Sequence, residues 1–219
     1  MKHILILGGT GHLGKILVQF FLQKNYLVTA LVRNPSKLNL VGKNLNLVRG
    51  NVIRTEDLSR ALKDIDIVIS VLGHGFRTPF PIQETALQAL LPLMKKNRVN
   101  RFITVTGAGL KVQGDPSSLI ANVSEIFFSQ VDPYRMTDAK NQQRLLEKSD
   151  LDWTVIRTPI HNNKDVIDVV CVGYAQPKPW QTISRKTICD FIVRCVEDCA
   201  YIKKSPIIFS NHHLVHEHP

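Results

Sequence analysis

Three glycines, at positions 8, 11 and 14 of Gly8-Gly9-Thr10-Gly11-His12-Leu13-Gly14, carry the strongest chemical signal in the chain. The segment follows the short apolar run His3–Leu7 and opens Leu13–Lys24, whose apolar residues recur at helical spacing. A strand–turn–helix leaves the first backbone N–H groups of the helix without partners and directs the positive end of its dipole outward, so it attracts an anion. In that context Gly8 allows the tight turn, Gly11 lets an anionic group approach the backbone without a Cβ in the way, and Gly14 lets the helix pack close to the sheet. The N–H groups about His12 and Leu13 and the Thr10 hydroxyl are the available donors. The ligand chemistry that fits is a dinucleotide pyrophosphate. Without a ligand, the same residues would form only a tight turn.

A second signal lies about 20 residues after this turn, where NAD-binding sheets carry a carboxylate that accepts from the ribose 2′-hydroxyl. Here the apolar run Leu27–Val32 ends instead in Arg33-Asn34-Pro35-Ser36-Lys37. Arg33 can make a two-pronged contact to a 2′-phosphate, and Ser36 or Lys37 can assist, which points to NADP(H) rather than NAD. The alternative is an exposed basic loop. Two further strand ends suit a dinucleotide. Asn51, in Gly50-Asn51-Val52, can bond an adenine edge, and Gly73, in Ser70-Val71-Leu72-Gly73, permits close approach of a ribose.

These residues need a scaffold that brings strand ends together. The alternation of short apolar runs with helical patterns supplies it: strands over His3–Leu7, Leu27–Val32, Asn46–Arg49, Ile65–Leu72, Arg101–Thr106, Trp153–Arg157 and Pro206–Phe209, with a further one expected over Val166–Val172. Helices are expected over Leu13–Lys24, Glu56–Leu62 with Thr55 as N-cap, Pro81–Asn97, Asp138–Lys148 and Thr187–Asp198. Leu110–Arg135 has weak periodicity and reads as a loop with a short helix near the ligand site. Repeated β–α alternation with apolar, non-alternating strands predicts a single Rossmann-type α/β domain over residues 1–211, a doubly wound parallel sheet with helices on both faces. The His-rich segment 212–219 is expected to be a solvated tail.

Bulk composition narrows the classes. Of 219 residues, 44% are hydrophobic and 21% charged, a globular balance. No apolar run reaches the roughly 18 residues of a spanning helix, so the reading is a soluble, cytoplasmic protein without a membrane partner. The net charge of +10 is scattered, and no nucleic-acid motif accompanies it, which argues against nucleic acid. The cysteines, Cys171, Cys189, Cys195 and Cys199, contain no C-x-x-C pair. Cys195 and Cys199 fall at i, i+4 of a predicted helix, a spacing compatible with a metal, but apolar packing of free thiols is the simpler expectation, and no metal is predicted.

The glycine turn, Arg33-x-Pro35-x-Lys37, Asp138-Ala139-Lys140-x(6)-Glu147, Leu151-Asp152-Trp153-Thr154-Val155-Ile156-Arg157-Thr158-Pro159 and Ile183-Ser184-Arg185-Lys186-Thr187-Ile188-Cys189-Asp190-Phe191 together resemble the atypical short-chain dehydrogenase/reductases with an NAD(P)H-binding domain. That group includes flavin-reductase-like enzymes of the biliverdin reductase B type and NmrA-like regulators. The resemblance runs from about residue 2 to residue 209. It implies that Lys140 holds the nicotinamide ribose, the alternative being a surface lysine. It implies that Thr106 stands where the family often has a serine, to orient a carbonyl or flavin or merely to end the sheet. It also implies that Pro159 and Ile160 border the nicotinamide. The chain departs from the Tyr-x-x-x-Lys pair of better-known members, because Met136 stands four residues before Lys140. That loss argues against epimerase or dehydratase chemistry. It suits hydride transfer to a flavin-like or quinone-like small-molecule acceptor, in which the cofactor carries the chemistry. The alternative it also suits is a non-catalytic redox sensor acting through a protein partner.

Overall fold

The computed structural model describes residues 1–73, 79–116, 132–173 and 180–210. Strands β1 (His3–Leu7), β2 (Leu27–Val32), β3 (Leu45–Arg49), β4 (Ile67–Ser70), β5 (Arg101–Gly107), β6 (Asp152–Thr158), β8 (Val170–Gly173) and β10 (Ile207–Ser210) form one sheet in the order β3-β2-β1-β4-β5-β6-β10-β8. The first six strands follow the 3-2-1-4-5-6 Rossmann order, all parallel, with the reversal of winding between β1 and β4. One departure from the expected all-parallel sheet is β8, which pairs antiparallel with β10 at the edge. A second is a two-stranded parallel ribbon, β7 (Ile160–Asn162) with β9 (Thr182–Ser184), beyond the end of β6. Three-residue strands fall below the length at which period-two patterning is readable.

The apolar strands serve two cores at once. Successive side chains alternate faces: Leu5, Leu7, Val68, Phe102 and Val155 enter one layer, Ile4, Ile6, Ile69, Ile103 and Ile156 the other. The first layer is closed by α2 (Thr55–Ala61), α3 (Ile82–Lys96) and α4 (Pro133–Glu147), through residues such as Leu58, Leu90 and Leu146. The second is closed by α1 (His12–Gln23) and α5 (Arg185–Glu197), through Leu17, Phe21, Ile188 and Ile192. Burial on both faces explains why β1, β2 and β4 read as nearly continuous apolar runs.

Several boundaries move for local reasons. Helix α2 includes Thr55 and is preceded by Arg54, with no side-chain cap bond, so Thr55 is not the N-cap. Helix α4 starts at Pro133 rather than Asp138. Asp132 caps it by accepting from Arg135 N at 3.2 Å, and proline suits the first helical position. Ser184 caps α5 through Thr187 N, moving its start to Arg185. That helix ends at Glu197, and Cys199 lies beyond it at φ +49°, so Cys195 and Cys199 do not share a helical face. The expected loop-and-helix stretch Leu110–Arg135 and the His-rich segment fall largely or wholly outside the described residues. Among the described residues, no helix is long and apolar enough to cross a membrane.

Candidate functional site

The parallel order brings the C-terminal ends of β1, β2, β4, β5 and β6 to one edge of the sheet, so residues far apart in sequence line one rim. At its centre Gly8 takes φ +87°, a conformation that favours glycine, and a Cβ there would lie 2.7 Å from Val71 O. Gly11 N donates to Gly8 O at 3.0 Å and closes the turn. A Cβ on Gly14 would lie 2.1 Å from Gly8 O and 2.8 Å from Gly9 Cα. Gly14 therefore lets α1 seat against the turn itself rather than against the sheet. Gly11 is the exposed N-cap of α1 and offers no side-chain cap, and the first turn holds no acidic residue. The N–H groups of His12, Leu13 and Gly14 thus face the rim beside Thr10 without a side-chain acceptor, the arrangement that suits a phosphate.

Beside β1, strand β2 ends at Val32 and the chain passes through exposed Arg33 into a short 3₁₀ turn, Pro35–Leu38. Asn34 Oδ1 accepts from Ser36 N at 3.2 Å and from Ser36 Oγ at 2.7 Å. The single Ser36 hydroxyl hydrogen is therefore engaged, and Arg33 and Lys37 are the donors this turn presents to solvent. Among the described residues neither joins an ion pair. Next to them Asn51 follows β3. Its N–H donates to Asp57 Oδ2 at 2.8 Å, which holds the Asp57 carboxyl below the usual range, with Arg60 adding to the effect. Gly50 is required by that contact, because a Cβ on it would lie 2.7 Å from Asp57. Val52 is buried in the first core layer and orients the loop rather than lining the rim. Leu72 is partly buried. Gly73 is exposed, and among the described residues a Cβ added to it would meet nothing within 4 Å.

Beyond the switch point, Thr104 and Thr106 of β5 share a face. The Thr104 hydroxyl lies 3.4 Å from Gln142 of α4, which sets Thr106 and Lys140 on neighbouring elements at the same rim. Lys140 is half-buried and lines a cavity of about 280 Å³ between α4 and the segment Leu110–Gln113, with Gln143 and Arg144. Met136 stands one helical turn before Lys140, on its face. Tyr134 lies on the same helix but about 240° around its axis from Lys140, and it is 47% exposed. On this helix no tyrosine takes the place of the absent one.

Pro159 follows β6 and leads into the ribbon with exposed Ile160 and half-buried His161. Thr158 Oγ donates to Thr106 O at 3.2 Å and lies 2.8 Å from His161 Nε2. A hydroxyl has one hydrogen, so the arrangement that satisfies both contacts has His161 donating from Nε2. Burial, reinforced by the Arg185 charge, lowers the His161 pKa to about 4. A neutral imidazole thus joins the ends of β5 and β6. His161 is not among the residues anticipated from the sequence, although a histidine directly after a strand-ending Thr-Pro-Ile was a usable signal.

A second unanticipated feature is the buried pair formed by Arg157 of β6 and Asp115, whose side chains are 0% and 3% exposed. Arg157 Nη2 donates to Asp115 Oδ1 at 2.7 Å, Nη1 to Leu110 O at 2.8 Å and Nε to Ser205 O at 2.8 Å. This pair fixes the segment after β5 as one wall of the Lys140 cavity. An arginine directly after the apolar pair Val155-Ile156 of a strand was its sequence signature. Among the described residues, no group of three or more His, Cys, Asp or Glu side chains is placed to hold a metal ion.

The sequence profile of a family described as NAD(P)H-binding matches residues 8–199. The chain is similar to a phenylcoumaran benzylic ether reductase of Pyrus communis, at 36% identity over 34% of this chain and 27% of that protein. It is also similar to the photosystem II assembly factor Ycf39 of Synechocystis, at 25% identity over 94% of this chain and 62% of that protein. The first curated relatives are thus matched over only about a quarter of their length, 26–27%. A short-chain dehydrogenase/reductase from Veillonella parvula, solved in complex with NADP, superposes with a TM-score of 0.77 at 16% identity, covering 96% of this chain and 95% of that one.

Proposed function

The chain belongs to the NAD(P)H-binding family, and from that premise we propose that it is an NADPH-dependent oxidoreductase that passes hydride to a flavin-like or quinone-like acceptor. The observation that carries the reading is on α4, where Lys140 is retained and Met136 occupies the position of the missing acid. When bound, NADPH supplies the hydride. The residues present fit it: the uncapped start of α1 receives the pyrophosphate, Arg33 and Lys37 the 2′-phosphate, Asn51 the adenine, and Lys140 the ribose of the nicotinamide half. Pro159 and Ile160 cover one side of the acceptor space, with Thr106 at its floor. A simple ketone needs a proton delivered to a strongly basic alkoxide, and no phenol stands beside Lys140 on α4 to deliver it. A flavin or quinone spreads the incoming electron pair over weakly basic atoms, so water supplies the proton. The balance is one hydride from NADPH and one proton from solvent per reduced acceptor.

The test is NADPH oxidation across acceptor classes. Turnover with FMN or quinones and little with aliphatic ketones is expected; strong ketone reduction with none on flavins or quinones refutes the mechanism. The similarity to an assembly factor over nearly the whole chain supports a second reading, an NmrA-like dinucleotide binder that acts through a protein partner. Tight NADPH binding with no turnover of any acceptor would favour it.

A further inference from the structure

We propose that Asp138 is a positioning residue of the dinucleotide site, joining the helix that carries Lys140 to the end of β4. The inference rests on the reading that Lys140 meets the nicotinamide-side ribose. Asp138 lies in α4 two residues before Lys140 and is fully buried, at 0% exposure. Its two carboxylate oxygens accept from the first N–H groups of a different helix: Oδ2 from Gln83 N at 2.9 Å and Oδ1 from Glu84 N at 2.7 Å. Helix α3 needs this contact, because its own N-cap is Pro81, which makes no side-chain cap bond. The carboxylate also sits at the positive end of the α3 dipole, which favours its charge.

The clamp continues to the rim. Gln83 Nε2 donates to Leu72 O at 3.0 Å, at the end of β4 and one residue before Gly73. The Gln83 side-chain oxygen Oε1 is buried with no hydrogen-bond partner among the described residues. A buried amide that leaves its acceptor orphaned is held by its donor, so the Leu72 contact dictates the side-chain orientation. A continuous path therefore runs from Lys140 through Asp138 and Gln83 to Leu72 and Gly73. Packing alone could join α3 to α4 with apolar residues. A buried carboxylate with both oxygens engaged instead specifies one distance and one rotation between them. A ribose held from both sides requires that setting, because charge-assisted contacts weaken steeply with misplacement.

The experiment compares two ligands by calorimetric titration. NADPH spans the whole rim, and adenosine 2′,5′-bisphosphate occupies only the side near Arg33. Asp138→Asn places an amide NH₂ against a backbone N–H and breaks one of the two bonds. It is expected to weaken NADPH by about tenfold while leaving adenosine 2′,5′-bisphosphate within about twofold. Asn141→Ala serves as the comparison, since Asn141 Nδ2 donates to Glu84 Oε2 at 2.8 Å and ties the same two helices through Glu84 rather than through Gln83 and Leu72. It is expected to lower the melting temperature without changing the ratio of the two affinities. Equal loss of both ligands in Asp138→Asn, or loss of neither, overturns the proposal. If Asp138→Asn does not fold, Gln83→Met decides, as it removes the Leu72 contact and keeps the cap. The same selective loss of NADPH supports the proposal, and a parallel or absent loss overturns it. Failure of every acceptor to be reduced would remove the catalytic reading and leave this one standing, because its readout is binding. Failure of the unmodified protein to bind NADPH would remove both.

Discussion

The glycine turn allows folding and ligand binding to be separated by two single-methyl insertions. In Gly14→Ala the added carbon starts 2.1 Å from Gly8 O and 2.8 Å from Gly9 Cα. An added Cβ under 3.0 Å from backbone forces a shift, so α1 must withdraw from the turn by about 1 Å or the turn must open. The Gly11 N to Gly8 O bond of 3.0 Å is at risk in either case. Forced overpacking of this kind costs about 3 kcal/mol. For a chain of this size that is a fall in melting temperature of about 6–12 °C. In Gly11→Ala the nearest atom is Gly8 O at 3.3 Å, a contact that a shift of a few tenths of an ångström relieves, and the N-cap backbone is extended at φ −72°. Replacing a glycine N-cap by alanine costs under about 1 kcal/mol. Its methyl, however, projects where a pyrophosphate must approach the N–H groups of the first turn. Charge-assisted hydrogen bonds of about 1.5–3 kcal/mol each are then lost, roughly tenfold or more in affinity. Thermal melts and NADPH titrations of the two variants are the assay. The expectation is a large loss of stability in Gly14→Ala, and a large loss of affinity with a near-normal melt in Gly11→Ala. Unchanged NADPH affinity in Gly11→Ala, or an unchanged melt in Gly14→Ala, would refute the reasoning for that position.

Arg33→Ala should weaken NADP(H) by roughly tenfold to a hundredfold, the worth of a charge-assisted phosphate contact, and leave NAD nearly unchanged; equal affinity of the unmodified protein for both cofactors would exclude a 2′-phosphate site there. Asp115→Ala leaves the fully buried Arg157 guanidinium without its carboxylate and should cost about 3–5 kcal/mol in urea unfolding, with a loss under about 1 kcal/mol counting against the pair. His161, at about 4 in the fold against 6.5 in the open chain, is held neutral, so the unfolded chain binds the proton first as pH falls. Its stabilising effect is complete above pH 6.5 and declines as pH drops towards 4. It amounts to about 3 kcal/mol at most. His161→Asn should flatten stability over that window, and an unchanged pH profile in the variant would show that the imidazole is not the titrating group.

The chain's order of elements was legible because both faces of the sheet centre are buried, which makes β1, β2 and β4 nearly continuous apolar runs; β2 was readable residue for residue, as Leu27–Val32. The glycine turn was equally legible, since a position where an added Cβ would lie 2.1 Å from a carbonyl oxygen admits only glycine. The basic turn after β2 could be read from the absence of a carboxylate. What sequence could not supply was anything that depends on two distant segments meeting. The ribbon of β7 and β9, the antiparallel β8, the Arg157–Asp115 pair and the bonds from Asp138 to Gln83 and Glu84 join residues 20 to 55 positions apart. Helix α4 shows the division most plainly. Its spacing placed Met136 one turn before Lys140, but its true start at Pro133 depends on the Asp132 cap, and its rotation depends on where Asp138 finds the open end of α3. Local sequence determines which face a side chain shares with its neighbours, and tertiary contact decides what that face meets.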